Sequence, residues 1–178
     1  MSVCGEWFCV EVVEFRGHEN VRATHRTTIE LTREPEVTPR GDCIIGVRAS
    51  KGLAGFRDGF KSLVRRPGAR VVALITDSLG HADVVSGFGD PGLSYRDPDR
   101  IIIRRSGYIA PNTAMVRACK SAKDLSRDLI NSLKEGVRGV AIFVVMVPAQ
   151  AERGFEEIAE GLAQISRLQE LSTHPRCP

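Results

Sequence analysis

The stretches RGHENVRATHRTTIEL, residues 16–31, and TPRGDC, residues 38–43, carry the side chains best suited to chemistry. A histidine near a carboxyl group and a thiol is a set that performs acid–base or nucleophilic catalysis. We therefore take His25, Asp42 and Cys43 as the catalytic candidates. The alternatives are structural: Asp42 after a glycine fits a tight turn, and Cys43 at the start of a strand fits an inert buried thiol.

The histidines do not predict a metal site. His18 and His25 are seven residues apart and lack the H-x-H and H-E-x-x-H spacings, so a third ligand would have to come from Glu30 or Asp42. Histidines at this spacing are more often hydrogen-bonded within their own loop. The sequence identifies no metal and no cofactor, and it leaves open whether the protein is an enzyme.

Lys51 and Lys120 each fall where a strand is predicted to give way to a helix. The helix macrodipole opposes a cation there, so an anion held by the lysine and the free N–H groups would explain both positions. The alternative is that each lysine points to solvent or pairs with a neighbouring carboxylate. GLAGFRDG, residues 52–59, has the wrong spacing for a P-loop or a Rossmann fingerprint. The residues expected to contact a ligand are His18, Asn20, Thr27, Arg40, Lys51 and Lys120.

The composition is that of an ordinary globular domain. The chain has 178 residues, of which 42% are hydrophobic and 26% charged, and a net charge of +3. These values predict one domain over residues 1–178, and the charge alone does not indicate nucleic-acid binding. The longest apolar run, residues 140–147, is far shorter than the roughly 20 residues of a membrane span, and the N-terminus does not resemble a signal peptide. We expect a cytoplasmic protein without membrane contact.

The numbers of cysteine and arginine residues indicate more about the host organism than about the fold. Five cysteines without a C-x2-C pair indicate neither a disulfide framework nor a zinc ribbon. Of the 25 basic residues 20 are arginine, and asparagine and glutamine total six, which fits a thermophilic host. Because some hyperthermophile proteins keep intracellular disulfides, a bond from Cys4 to Cys9 or to Cys177 stays open.

The chain repeats itself at an offset of 69 residues. VRASK at residues 47–51 recurs as VRACK at 116–120, and ARVVALITD at 69–77 corresponds to RGVAIFVVM at 138–146. Chance similarity of short words is the alternative explanation. Upstream the offset becomes 70, because Thr24-His25-Arg26 falls on Ser94-Tyr95-Arg96.

Each pseudo-repeat, about 8–78 and about 79–148, reads as three strands, a helix and a fourth strand. The predicted class is α+β, mainly β: a β-β-β-α-β unit occurs twice, related by a pseudo-twofold, in a closed barrel or a two-sheet sandwich with flanking helices. A C-terminal helical extension, residues 149–173, follows. It is expected to cap the sheet or to form a homodimer interface through apolar residues spaced three or four apart: Phe155, Ile158, Leu162, Ile165 and Leu168.

The sequence resembles an uncharacterised, mainly archaeal family, the domain of unknown function 371, over roughly residues 10–147. In the first half the resemblance rests on Gly17-His18-x-Asn20, Ala23-Thr24-His25-x-Thr27-Thr28-x-Glu30-x-Thr32 and Thr38-Pro39-Arg40-Gly41-Asp42-Cys43-Ile44. In the second half it rests on Arg104-Arg105-Ser106 and Ala118-x-Lys120-x-Ala122-x-Asp124-Leu125-x-Arg127. The resemblance implies a β-rich fold and an archaeal origin, but no activity.

This chain also departs from the family pattern. Similar proteins tend to read Ala-Asp-Lys where it has Ala49-Ser50-Lys51 and Ala118-Cys119-Lys120, and to have a histidine where it has Tyr95. The resemblance therefore implies that a single site would use His25 of the first half.

Two functional hypotheses follow. The leading one is a site that binds, and if it is an enzyme transforms, a small anionic or nucleotide-like ligand between the two halves. Lys51 and Lys120 would be its charge partners, and its pocket would contain at least His25 and Lys51. The rival is a non-catalytic RNA- or protein-binding module. It predicts a convex basic face made of Arg22, Arg26, Arg40, Arg104 and Arg105.

Overall fold

The computed structural model describes residues 3–147, which contain eight β-strands, two α-helices and two 3-10 turns. The first half contains β1 (Phe8–Arg16), β2 (Thr28–Thr32), β3 (Ile44–Gly46), a 3-10 turn (Leu53–Gly55), α1 (Asp58–Val64) and β4 (Arg70–Asp77). The second half contains β5 (Ala82–Phe88), β6 (Arg100–Arg104), β7 (Thr113–Met115), a 3-10 turn (Ala122–Asp124), α2 (Arg127–Lys134) and β8 (Arg138–Met146). The order of strands and helices matches the predicted succession.

The strands form two four-stranded sheets. Sheet A is antiparallel in the order β1-β8-β4-β5, and sheet B has the order β3-β2-β6-β7, with an antiparallel centre and a parallel pair at each edge. Single bridges, Arg16 to Val47 and Phe88 to Val116, join the edges of the two sheets. Apart from these single bridges, the strands of residues 3–147 make two separate sheets and no closed barrel. The mainly β, α+β class is confirmed, and the barrel alternative is wrong.

Strict alternation decides which side chains of sheet A face the core. Every second residue of β1, β4, β5 and β8 is buried, as expected for strands with one face in the core. The inward-facing Val13, Val71 and Phe143 belong to one hydrophobic cluster with Phe60 of α1 and Leu129 of α2. Both helices thus pack on the inner face of sheet A.

The helices begin later than the sequence indicates. α1 begins at Asp58 and α2 at Arg127, so Lys51 and Lys120 precede the 3-10 turns and not the α-helices. The chain is extended again immediately after each 3-10 turn, which separates the lysines from the helix N-termini. The macrodipole argument for the lysines is therefore wrong.

The N-terminal segment is joined to sheet A. Cys4 forms a disulfide with Cys9 of β1, one of the two pairings that the sequence left open. Within residues 3–147 no helix is both long and apolar enough to cross a membrane. The predicted C-terminal helix, residues 149–173, lies outside the described residues.

Candidate functional site

A cleft of about 600 Å³ opens at one end of sheet A, where β1, β8 and the end of β4 meet. The residues that line it include Arg16, Arg48 and Arg138 together with Ser50 and Ser78. Guanidinium and hydroxyl groups are donors, and arginine in particular matches the geometry of carboxylates and phosphates. The wall is therefore suited to an anion.

Two of these arginines face each other directly. Arg16 and Arg138 are cross-strand partners in the β1–β8 ladder, and both are exposed. Like charges at opposed positions destabilise a sheet by roughly 0.2–1 kcal/mol. The arginines that form ion pairs within residues 3–147 are others, namely Arg33, Arg48, Arg100 and Arg105. Arg16 and Arg138 thus place two unneutralised positive charges side by side.

The two acidic residues of the wall leave this charge in place. Asp77 accepts hydrogen bonds at Oδ1 from the backbone N–H groups of Leu79 and His81, and its Oδ2 lies 2.8 Å from Nδ1 of His81. Glu14 is exposed and lies opposite Val140 in the ladder. Arg48 pairs with Glu36 outside the wall, and no ion pair within residues 3–147 joins Glu14 or Asp77 to Arg16 or Arg138, so the charge of these two arginines stays in place.

Lys51 is paired with a buried carboxylate. Its Nζ lies 2.5 Å from Oε2 of Glu11, a fully buried residue of β1, and Oε1 of Glu11 accepts the backbone N–H of Arg57 just before α1. Because the carboxylate cancels its charge, Lys51 is a poor anchor for an anion.

Lys120 has the same kind of environment in the second half. Its Nζ lies 2.5 Å from Oδ1 of Asp83 on β5, and Oδ2 of Asp83 accepts the backbone N–H of Ser126 just before α2. Both lysines therefore have the carboxylate partner that the sequence offered as the alternative. Each carboxylate also fastens the start of a helix to sheet A.

His25 uses one ring nitrogen to hold a turn. Its Nδ1 accepts hydrogen bonds from the backbone N–H groups of Thr27 and Thr28, at 3.3 and 3.1 Å. An Nδ1 that accepts carries no proton, so the neutral ring has its proton on Nε2. The backbone N–H groups of Thr24 and His25 both donate to the carbonyl of Asp42. The fold thus brings the loops of two catalytic candidates together.

Asp97 makes the corresponding contacts in the second half. Its Oδ1 accepts the N–H groups of Asp99 and Arg100, at 2.8 and 2.9 Å. The N–H groups of Arg96 and Asp97 both donate to the carbonyl of Pro111, as those of residues 24 and 25 do to the carbonyl of residue 42. Asp97 therefore makes in the second half the contacts that His25 makes in the first.

The alignment of His25 with Tyr95 is wrong by two residues. Tyr95 has a left-handed backbone conformation with a φ of 52°. In the first half the residue with the matching conformation is Ala23, with a φ of 49°. The connection between β2 and β3, residues 33–43, is three residues longer than the one between β6 and β7, residues 105–112. The offset between the halves is consequently 72 residues before that connection and 69 after it.

Cys43 lies against Glu30 of β2. Its thiol donates to Oε2 of Glu30 at 3.4 Å, and Glu30 is only 7% exposed. Burial, reinforced by the charge of Glu30, raises the pKa of the Cys43 thiol to about 12, and burial also raises the pKa of Glu30. Cys43 is therefore a thiol at neutral pH and not an activated nucleophile.

Two further predicted ligand contacts organise the β2–β3 connection. His18 places Nε2 2.9 Å from Oε2 of Glu36, and its Nδ1 accepts the backbone N–H of Asn20. The side chain of Asn20 donates to the carbonyl of Val37 at 3.0 Å. These contacts explain both residues without a ligand, whereas Arg40 in the same connection is exposed.

The arginines of the predicted basic face do not act alike. Arg104 donates to Oγ1 of Thr113 and stacks over Tyr108, with 4.9 Å between the guanidinium carbon and the ring centroid. Arg105 lies 3.3 Å from Oδ2 of Asp124. The others, Arg22, Arg26 and Arg40, are exposed. Two of the five are thus held by neighbouring side chains.

No three His, Cys, Asp or Glu side chains of the described residues converge closely enough to hold a metal ion. The structure does gather His25, Thr27, Asp42 and Cys43 around the β2–β3 connection. Lys51 lies instead with Glu11 between β1 and α1, and neither His25 nor Lys51 lines the arginine cleft.

The fold and cleft define an α+β protein of two four-stranded sheets with a basic cleft at one sheet end. Residues 13–146 match the family model described as "Domain of unknown function (DUF371)". The chain is also 41% identical over 125 residues to "Uncharacterized protein MJ0206" of Methanocaldococcus jannaschii. The aligned region covers 70% of this chain and 91% of that protein. The chain belongs to this archaeal DUF371 family, as its motifs predicted.

Sequence reasoning missed the arginine cleft. Arg16 ends β1 and Arg138 begins β8, 122 positions later in the chain, and no local pattern connects them. The alternation in CVEVVEFR puts Arg16 on the outer face, which was a usable signal. The register that sets Arg138 opposite Arg16 is a property of the tertiary structure alone.

Proposed function

We propose that this protein binds a small anionic ligand, of the class of phosphorylated or carboxylated metabolites and nucleotides, in the cleft of Arg16, Arg48 and Arg138. The observation that carries the proposal is the opposed pair of Arg16 and Arg138, neither of which forms an ion pair within residues 3–147. Two opposed guanidinium groups weaken a sheet, whereas an anion between them accepts hydrogen bonds from both. The proposed ligand class and its position between the two halves are those of the sequence-based hypothesis. The positive charge, however, comes from arginines and not from Lys51 and Lys120.

We also propose that the chain is one internally duplicated domain with pseudo-repeats at about 8–78 and 79–148. Support comes from matched contacts. A Cβ at Gly17 would lie 1.9 Å from the carbonyl oxygen of Leu133 in α2, and one at Gly89 would lie 2.1 Å from that of Val64 in α1. The residue pairs Glu11–Lys51 and Asp83–Lys120, and the left-handed Arg48 and Arg117, match in the same way.

The ligand proposal is tested by thermal unfolding with inorganic phosphate and pyrophosphate. A ligand at about 100 times its Kd stabilises a protein by about 2.7 kcal/mol, which raises the Tm of a chain of this size by several degrees. We expect this rise in the native protein and its loss in Arg16→Gln and Arg138→Gln. Without ligand, each variant should be as stable as the native protein or more stable by about 0.2–1 kcal/mol, because a like-charge pair is removed.

Arg22→Gln is the matched control, since it removes one exposed positive charge away from the cleft and should keep the full rise. A rise that survives in both cleft variants, or no rise with either anion, contradicts the proposal. Titration with single-stranded RNA over a range of salt concentrations tests the rival function. RNA binding that is unchanged in both cleft variants would support the binding module instead.

A further inference from the structure

The outer face of sheet A is apolar over its middle. On three of its four strands, β1, β8 and β4, the outward-facing aliphatic residues are Val10, Val12, Val72, Leu74, Val140, Ile142 and Val144. All are partly exposed, and none belongs to the hydrophobic core cluster. Since β1, β8 and β4 are neighbours in the sheet, these side chains form one continuous patch. Patches of this kind mark surfaces that pack against something else.

Charged residues lie at the ends of this patch and are mainly basic. Arg16 and Arg138 stand at one end, together with Glu14. Arg70 stands at the other end, where its guanidinium carbon lies 4.1 Å from the ring centroid of Phe88. A partner for this face should therefore be apolar along its middle and acidic on its flanks.

The chain itself supplies a segment with both properties. β8 ends at Met146 in the interior of sheet A, between β1 and β4, so the chain that follows starts beside the patch. Residues 149–171 contain five glutamates and two arginines, a net charge of −3, and an apolar residue every three or four positions from Phe155 to Leu168. As a helix this stripe would be about 20 Å long. The outermost of four strands about 4.8 Å apart are about 14 Å from each other, so a stripe of this length is long enough to cross the sheet.

We propose that the outer face of sheet A is the docking surface for the chain's own C-terminal segment, residues 149–171. The apolar stripe covers the aliphatic patch, and the glutamates lie towards Arg70, at the end of the patch where β8 ends. Burial of aliphatic side chains supplies the main driving force, since each buried methylene contributes about 0.8 kcal/mol. The opposite charges orient the segment on the sheet.

Hydrogen exchange of the full-length chain, read by mass spectrometry, tests this docking. We expect amides of residues 155–168 to exchange at least about tenfold more slowly than an unstructured peptide, in a protein that light scattering shows to be a monomer. Leu74→Asp, in the middle of the patch, should return these amides to the unprotected rate. The amides of β4 and β8 should stay protected, because their hydrogen bonds lie within the sheet.

Leu79→Asp is the matched control, because Leu79 is 66% exposed in the β4–β5 turn outside the patch. Leu162→Asp tests the other side of the contact and leaves the residues of the sheet unchanged. Gln164→Asp is its control. Fast exchange of residues 155–168 in the native monomer overturns the proposal. Protection that appears only in a dimer also overturns it and assigns the face to a second copy. Because Leu74 is not part of the arginine cleft, Leu74→Asp tests the docking without removing a residue of the proposed anion site.

Discussion

At the scale of single residues, Cys43 shows how its surroundings decide whether a nucleophilic side chain is reactive. The thiol is partly buried beside Glu30, and burial together with the charge of Glu30 raises its pKa to about 12, from an ordinary value of 9. A thiolate is the reactive form, so the reaction rate follows the thiolate fraction. A catalytic role for Cys43 at neutral pH is therefore disfavoured.

The alkylation rate of Cys43 tests this account. At pH 8 we expect iodoacetamide to modify the native residue about a thousandfold more slowly than an unshielded cysteine, because the pKa lies about three units higher. Glu30→Gln removes a neighbouring negative charge and should accelerate the reaction. Peptide mapping measures the rate at Cys43 alone, and Glu19→Gln, an exposed position, is the control that should change nothing. An equally slow reaction in Glu30→Gln would show that Glu30 does not shield the thiol.

The same pKa shift gives the direction of a pH dependence. Since the folded protein holds the thiol proton more tightly than the unfolded chain, the contribution of Cys43 to stability is at its full value below pH 9. It declines as the pH rises from about 9 towards 12. The raised pKa of Glu30 acts in the same direction at lower pH, above its ordinary value of 4.5.

At the scale of elements, two ion pairs fix the helices to sheet A. Glu11 and Asp83 are inward-facing residues of strands whose alternation otherwise places apolar side chains there. Each carboxylate accepts a backbone N–H just before a helix and pairs with a lysine. Such groups are tolerated in a core only when they are paired and hydrogen-bonded. The pairs therefore serve to position α1 and α2.

Lys51→Met tests this positioning role. The substitution leaves Glu11 buried without its cation, which typically costs about 3–5 kcal/mol. We expect urea unfolding to show a loss near the lower end, because the Lys51 side chain is 24% exposed. The control is Arg33→Met, which breaks a pair with both side chains about half exposed and should cost less than about 1 kcal/mol. A loss no larger than that of the control would exclude a stabilising role for the pair.

At the scale of the whole molecule, the proposed duplication predicts that the halves respond alike. Lys120→Met leaves Asp83 without its lysine and should cost as much as Lys51→Met to within about 1 kcal/mol. Separate sites without a shared partner are additive to within about 0.3–0.5 kcal/mol. The double variant should therefore lose the sum of the two single losses, provided that enough stability remains to measure it by urea unfolding. A much smaller effect of Lys120→Met would mean that the two pairs are alike in geometry only.

The whole molecule also explains why one corner of sheet A is a candidate site and the opposite one is not. Arg16 and Arg138 are opposed at one corner, whereas Arg70 is opposed to Phe88 at the other. There the ring lies within 5.5 Å of the guanidinium groups of both Arg70 and Arg117. Cation–π contact holds those two arginines against the ring, whereas the described residues provide no such contact for Arg16 and Arg138.

The sequence by itself determined the succession of strands and helices, the mainly β class and the family. These features are encoded locally: alternation in CVEVVEF and ARVVALITD marks half-buried strands, and Gly and Pro mark the turns between them. The motif around His25 was equally visible, because its residues are contiguous. Local patterns could not show that the strands divide into two sheets.

Only the tertiary structure decided which residues of distant segments meet. It set Glu11 beside Lys51, gave Asp97 contacts like those of His25, and opposed Arg16 to Arg138. Each of these contacts depends on strand register and loop length, and a shift of one residue in a strand turns its side chains to the other face. Burial then determined what the side chains can do. It kept the Cys43 thiol protonated, while ion pairs with Glu11 and Asp83 neutralised the two lysines and Arg16 and Arg138 stayed exposed and charged.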